Sequence, residues 1–504
     1  FVEQIHWQIP NSLIDRAEEI EQKKLGGVEI MGEPYYIGGQ PTYSPNTVTV
    51  IFPYTGEAFA EVCIASMEDQ ARAANCARQG FAETKSLPAH RRAEILRRVA
   101  DKIDEERETF VDILIHESGK TVRQAHFEVT RAVSVMRTSA EESVRLTGEM
   151  IPLDKTEAGE GYTGYYYKVP SGPVLCITPF NYPLNLACHK IGPAIAAGCS
   201  FVLKPSTKTP LSALLLGKII LEAGYPAKAV NVVPCTGSSA ETLVRDPRFS
   251  VLSFTGSPAI GWRLKELFPG RYIGLELGGN AAAVVHKDAD LTYAARRIAE
   301  GAVSNAGQSC ISVQRVYLHA DIYDTCLAMI LNNMKSFVVG DPRLPETDVG
   351  PMISEADAVR AEEKIKQAVM RGARILAGGV REGALFYPTV LERASSEMSV
   401  CSSEMFAPVI TVHQYTDVDE AVRQVNESRY GLQGSIFTNS LDVLERTVTK
   451  LEVGAVIIND YPTFREDSMP YGGTKFSGIG REGPKYLIDE FMEKRLVVMR
   501  RTSP

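Results

Sequence analysis

A cysteine lies in the stretch Asn305-Ala306-Gly307-Gln308-Ser309-Cys310-Ile311-Ser312, between an alanine-rich helical pattern and the strand-like run Gln314-Arg315-Val316-Tyr317-Leu318. A glycine and an amide side chain come shortly before it, so the chain is predicted to bend there from helix to strand with the Cys310 backbone N–H free. A thiol beside free amides is what nucleophilic thiolate chemistry requires. A second reactive group is Glu276, in Leu275-Glu276-Leu277-Gly278-Gly279-Asn280 before the apolar run 281–285. Desolvation raises the pKa of such a carboxylate towards the range in which it accepts a proton from water. The other reading, a glutamate satisfied by backbone amides of the glycines, is equally open from this residue alone. Two further stretches suit anions. Lys204-Pro205-Ser206-Thr207-Lys208 places a cation and hydroxyls at a strand end, and Gly256-Ser257-Pro258-Ala259-Ile260-Gly261 opens a helix with a Ser-Pro start whose amides face the same end.

The elements that must position these groups follow from pattern. Strands over 174–178, 201–204, 230–233 and 251–255 alternate with helices over 184–197, 211–223, 240–245 and 258–267, which is the signature of a parallel sheet covered on both faces. Ligands of such sheets collect beyond the carboxyl ends of the strands. Before this region, helices are expected over 67–81, 89–106, 108–118 (stopping at Gly119) and 128–143, and strands flank the turn 53–56. Residues up to about 40 read as a loosely packed arm. After it come a helix capped by Asp290 or Thr292 and running to about 303, a helix over 353–371, a strand over 409–412, a helix over 417–429, and strands over 434–437 and 454–459. Residues 461–465 and 471–473 read as loops. The aromatic run 162–169 is either a surface hairpin or an arm that adds to a sheet in another subunit, with 495–500 as its candidate partner.

Composition narrows the function classes. The chain has 504 residues, 44% hydrophobic and 23% charged, with a net charge of -8, which suits a globular protein of two or three domains and argues against nucleic-acid or membrane-surface partners. Nine cysteines without a C-x-x-C pair read neither as a disulfide framework nor as a metal site, so no metal is expected. The first residues show no basic segment leading into an apolar core, and no apolar run approaches the roughly 18 residues of a membrane span. A cytoplasmic protein is the reading that follows.

Taken in order, Thr178-Pro179-Phe180-Asn181-Tyr182-Pro183, Lys204-Pro205-Ser206, Phe254-Thr255-Gly256-Ser257, Glu276-Leu277-Gly278-Gly279, Gly307-Gln308-Ser309-Cys310 and Glu404-Met405-Phe406 resemble the NAD(P)-dependent aldehyde dehydrogenase superfamily. The resemblance implies an α/β subunit: a Rossmann-like cofactor domain (1–157 and 172–281), an α/β catalytic domain (282–484) and a small β oligomerisation arm (158–171 and 485–504) that joins homodimers or homotetramers. It implies that Cys310 attacks an aldehyde, that the Asn181 side chain and the Cys310 N–H hold the oxyanion, and that hydride leaves to the nicotinamide. The resulting thioester is then hydrolysed by water that Glu276 activates. Matching cofactor positions are Thr178, Lys204, Ser206, Thr207, Gly237, Gly256, Ser257, Gly261, Leu277, Glu404 and Phe406. Tyr182, Ser309 and Arg465 fall where the aldehyde tunnel is expected.

Three departures bear on specificity. Many members carry a glutamate after Lys-Pro-Ser, which repels a 2′-phosphate; Thr207 and Lys208 stand here, so NADP is expected to be accepted alongside NAD. Ala407 replaces the usual glycine after Phe406 and is expected to constrain that loop slightly. Ser309 stands where the branch acting on glyceraldehyde 3-phosphate places an arginine, which disfavours that substrate. A small polar aldehyde, such as lactaldehyde or a semialdehyde, is the expected substrate. Arg465 either binds an anionic tail or pairs with Glu466 or Asp467, and the second reading is preferred. Alternatives are a CoA-acylating semialdehyde dehydrogenase, disfavoured by Glu276, and a non-catalytic scaffold on the same fold.

Overall fold

The computed structural model describes residues 23–25, 28–30 and 32–500. Two parallel-centred sheets organise it. In the first, strands Tyr272–Glu276, Val251–Thr255, Val174–Ile177, Phe201–Lys204 and Val230–Val232 lie side by side in that order, all parallel. The order reverses between Val174–Ile177 and Val251–Thr255, and a crevice opens at the carboxyl ends of strands around such a switch. All four residues of Val174–Ile177 and of Phe201–Lys204 are buried, as strands covered on both faces must be. The helix Pro183–Ala197 buries every one of its residues against this sheet and against the helix Val122–Ser143.

The second sheet has seven strands. Thr389–Glu392, Val409–Tyr415, Val313–His319, Ala281–Val285, Gln433–Phe437 and Ala455–Ile458 run parallel in that order, with Arg374–Ala377 antiparallel at one edge. The alternating α/β pattern is therefore present twice. The strand Gly478–Ile479 returns to the first sheet and pairs antiparallel with Tyr272–Glu276, so the end of the second unit ties back to the first.

The aromatic run forms the strand Tyr162–Pro170 and pairs antiparallel with Met492–Arg500, setting Tyr167 opposite Arg495. Glu149–Ile151 adds a third strand. The helix Pro484–Glu490 lies just before this arm and buries Leu487 and Ile488 in the core of the first sheet.

Two expectations need correction. The stretch up to about 40 is not uniformly loose: Tyr35–Ile37 adds antiparallel to the first sheet, and fully buried Tyr35 donates its hydroxyl to Asp69 at 2.7 Å. Residues 1–22 lie outside the described residues. The helix expected from 128 begins at Val122, where Gln124 Oε1 accepts the Thr121 amide at 3.4 Å. The Thr-x-x-Gln spacing, half of a capping box, was the available signal. Among the described residues no helix is long and apolar enough to cross a membrane, and all nine cysteines are free thiols.

Candidate active site

Cys310 leaves the helix Leu291–Val303, whose Asp290 cap accepts the Tyr293 amide at 3.0 Å, through three successive left-handed residues: Asn305 (φ 53°), Ala306 (φ 53°) and Gly307 (φ 70°). Left-handed backbone costs free energy for Asn and Ala, so surrounding bonds must hold it. Asn305 Nδ2 donates to the Asn181 carbonyl at 3.0 Å and to the Gln308 carbonyl at 3.2 Å. Its Oδ1 accepts Lys120 Nζ at 2.8 Å. Lys120 is 1% exposed, donates also to the Asn181 carbonyl at 2.5 Å, and lies 3.4 Å from Glu128 Oε2. Glu128 Oε1 in turn accepts the amides of Leu184 and Asn185, at the start of the helix that follows Asn181. One buried ammonium thus joins the Asn181 turn to the Cys310 loop.

Cys310 Sγ lies 2.9 Å from the Tyr471 hydroxyl. Burial pushes the thiol up to about 11, while the Tyr471 hydrogen bond and the Arg465 charge act the other way. The Cys310 backbone N–H has no hydrogen-bond partner among the described residues. Asn181 Nδ2 donates to the Gln308 carbonyl at 3.0 Å, leaving a second amide proton for a ligand. Glu276 ends its strand 5% exposed, with Oε2 unpartnered. Burial, with the Glu482 charge behind it, pushes its carboxyl well above the usual range. The glycine-amide reading of Glu276 does not hold: the Gly279 N–H goes instead to Glu404 Oε1, at 2.9 Å. Burial raises Glu404 to about 7.

Cys310, Asn181, Tyr182, Ser309, Glu276, Glu404 and Phe406 line one cavity of about 550 Å³, together with Gly256, Ser257, Leu277 and Arg465. The left-handed residue of the Glu404 loop is Phe406 (φ 51°) and not Ala407, so the replaced glycine falls where an L-residue fits. Phe406 meets Phe180 edge-on at 5.8 Å.

Thr178, Lys204, Ser206, Thr207, Gly237 and Gly261 do not line this cavity. Thr178 and Lys204 end neighbouring strands. The Thr178 hydroxyl is buried without a partner, and Lys204 meets no carboxylate among the described residues. Ser206 Oγ accepts the Lys208 amide at 3.2 Å, and Thr207 beside it is half-buried. Gly237 starts the helix Gly237–Arg245 at the surface. Gly261 is a packing residue: a Cβ there would sit 2.3 Å from Leu277. Ser257 makes no side-chain cap on Pro258–Leu267, so the first-turn amides remain for an anion. An orphaned hydroxyl, an unpaired ammonium and an uncapped helix start fit a dinucleotide. Lys208 is engaged elsewhere, with Asp357 at 2.9 Å.

Several groups escaped the sequence reading. Arg131 pairs bidentately with Asp467 at 2.9 and 2.6 Å, and His189 meets the same carboxylate at 2.7 Å. Arg465 reaches Glu482 at 3.1 Å and Asp467 at 3.7 Å, while Glu466 bonds Ser468 instead. Lys190 also meets Glu482, at 3.0 Å. Glu482 is held down to about 2 against burial by Lys190 and Arg465, and Asp467 is held well below its usual range by Arg131 and His189. Burial and the Arg465 charge lower His189, against the opposing pull of Asp467. Arg131 and Arg465, paired with Asp467 and Glu482, thus reach the cavity wall beside Cys310 and Glu276. The partners of Arg131, His189 and Lys190 are hundreds of residues away in sequence, and no local spacing announces them.

The aldehyde dehydrogenase family profile matches residues 41–497. A 3-sulfolactaldehyde dehydrogenase of Priestia aryabhattai is 41% identical over 92% of this chain and 97% of its own length. Aldehyde dehydrogenase 21 from Physcomitrella patens, solved with the reaction product succinate, superposes with a TM-score of 0.91 at 39% identity, covering 94% of this chain and 99% of that one. The NADP complex of glyceraldehyde-3-phosphate dehydrogenase from Methanocaldococcus jannaschii gives 0.88 at 36% identity, covering 91% and 100%. With its two parallel sheets, its β arm and a cysteine, an amide and two glutamates facing one cavity, the chain belongs to the aldehyde dehydrogenase family and oxidises its substrate with NAD(P).

Proposed function

We propose that this protein oxidises a small polar aldehyde with an anionic tail to its carboxylic acid, with Cys310 as nucleophile. The observation that carries the substrate reading is the pair of guanidinium groups, Arg131 and Arg465, at the wall of the cavity that also holds the thiol. A relative named for 3-sulfolactaldehyde and a neighbour holding succinate support it, since the first compound carries a sulfonate beside its aldehyde and the second a carboxylate at each end. Arginine is suited to such oxyanions because its planar fork binds two oxygens at once.

The chemistry divides among the residues as follows. The Cys310 thiolate adds to the carbonyl carbon, and the Asn181 side-chain amide and the Cys310 N–H receive the oxyanion. One such donor is worth roughly 10²–10³ in rate. The bound nicotinamide supplies the hydride acceptor. Glu276 then takes a proton from the water that attacks the thioester, and its unpartnered oxygen is available for that bond. Glu404 and Phe406 hold the nicotinamide side. Thr178, Lys204, Ser206, Thr207 and the amides after Ser257 hold the adenosine and pyrophosphate side, and without a glutamate at 207 both NADP and NAD are accepted. Of the described residues, those up to 157 with 172–281 form the cofactor domain, 282–484 the catalytic domain, and 158–171 with 485–500 the arm through which a homodimer or homotetramer assembles in the cytoplasm.

The test is a panel of short aldehydes, with and without an acidic tail, followed at the reduced-nicotinamide absorbance with NAD and NADP in parallel. Acidic aldehydes are expected to give the highest kcat/KM, and preference for neutral long-chain aldehydes would defeat the substrate reading. Added CoA is expected to leave turnover unchanged, whereas strict CoA dependence would move the enzyme to the acylating class. Cys310→Ala is expected to abolish turnover, and Glu276→Gln to accumulate a Cys310 thioester visible by intact mass. Normal turnover of either variant would reassign that role.

A further inference from the structure

Among the described residues, the Tyr471 hydroxyl is the side-chain oxygen within hydrogen-bond distance of the Cys310 sulfur, at 2.9 Å. The ring is held on two sides. Its backbone exchanges bonds with Glu482 (Tyr471 N to Glu482 O at 3.0 Å, Glu482 N to Tyr471 O at 2.6 Å), and the Arg465 guanidinium lies 3.7 Å from the ring centroid. Tyr471 is 2% exposed, so no bulk water competes for its hydroxyl.

Ownership of the shared proton follows from the surroundings. The charged and titratable groups facing Cys310 are Tyr471, Arg465, Glu404, Glu276 and, from the turn after Asn181, Tyr182. A thiol is ordinarily more acidic than a phenol, and burial and the adjacent Cys310 push the Tyr471 phenol up further. The sulfur is therefore the group that ionises, and the oxygen keeps its proton.

We propose that Tyr471 is a catalytic residue whose O–H donates to the Cys310 sulfur and stabilises the thiolate at both ends of the cycle. This rests on Cys310 being the nucleophile. Before substrate arrives, the O–H···S bond steadies an anion that burial otherwise disfavours. On attack, a sulfur electron pair forms the C–S bond and the hydroxyl loses its anionic acceptor. In hydrolysis, water adds to the thioester carbon, Glu276 takes one water proton and the C–S bond breaks. The electron pair returns to sulfur, where the hydroxyl again meets it. Between attack and hydrolysis the hydride whose loss forms the thioester goes to the NAD(P) of the established activity, and the phenolic proton is never transferred.

The decisive variant is Tyr471→Phe, which keeps the ring and its stacking on Arg465. The rate of iodoacetamide alkylation of Cys310, followed by peptide mass against pH without aldehyde, is expected to move its midpoint up by about one to two pH units. Substituting 3-fluorotyrosine, a stronger donor of similar size, is expected to move it down. An unchanged midpoint in both proteins would overturn the proposal. Cys310→Ala separates the two claims: turnover in that variant removes the nucleophile itself, whereas a dead Cys310→Ala with unmoved midpoints removes Tyr471 alone.

Discussion

At the Cys310 end of the cleft, Asn305, Asn181, Lys120 and Glu128 bond mainly to one another and to backbone, and all are buried. At the other end, Thr178 and Lys204 stand without such partners, Ser206 and Thr207 are half-buried, and Gly237 is exposed. The first region is finished by the protein; the second is finished by its ligand. Chemistry needs donors fixed before the transition state forms, because reorganising them then would add to the barrier. A dinucleotide that must enter and leave is better served by groups that find their partners only when it binds.

This contrast can be broken at several points. The largest expected effect is on stability. Removing the charge of Asp467 by Asp467→Asn leaves Arg131 buried without its anion, which typically costs about 3–5 kcal/mol. Asp467 is depressed in the folded state, so its contribution is fully present above the unfolded value near pH 4 and is lost as pH falls below it. Thermal melts should therefore separate wild type from Asp467→Asn clearly at pH 7 and less at pH 3; equal gaps at both would place the effect elsewhere. Next in size, Lys120→Met is expected to lower kcat by about 10²-fold, the scale of losing an aligned oxyanion donor, while fluorescence titration with NADPH shows binding within about twofold of wild type. If both fell together, the contrast between the two ends would be lost. The smallest effect is expected at the other end: Thr207→Glu should weaken NADPH about tenfold relative to NADH by placing a carboxylate near the 2′-phosphate, measured by the same titration.

The sequence displays the reacting groups better than what holds them. Cys310, Glu276 and Asn181 sit in short, ordered stretches where a strand or helix ends, and the parallel pattern places those ends at one crevice. Burial and repeating apolar runs encode this locally. Lys120, Arg131 and Tyr471 contribute through contacts 61 to more than 300 residues away along the chain, and a single sequence carries no periodicity for such pairs. Arg465 shows the same limit from the other side. Its pairing with Asp467 is legible as a neighbour effect, but its shorter contact with Glu482 accompanies a bridge between Tyr471 and Glu482 that no local spacing displays. The strand Tyr35–Ile37 is illegible in the stretch up to about 40 because three residues are too few to establish alternation, although one buried ring anchors them.

Gly307 carries a different kind of lesson. A Cβ there would lie 2.2 Å from the backbone of Ala407 and 2.5 Å from Pro408 N, so the thiol-bearing loop and the loop bearing Glu404 and Phe406 rest on each other main chain to main chain. The two behave as one joint. Widening it with any side chain would displace the nucleophile and the nicotinamide neighbour together, so an engineer seeking a new substrate has no independent adjustment at this seam. The freedom to alter specificity lies across the cavity, on Arg131, Phe464 and Arg465, which line the wall without touching that joint.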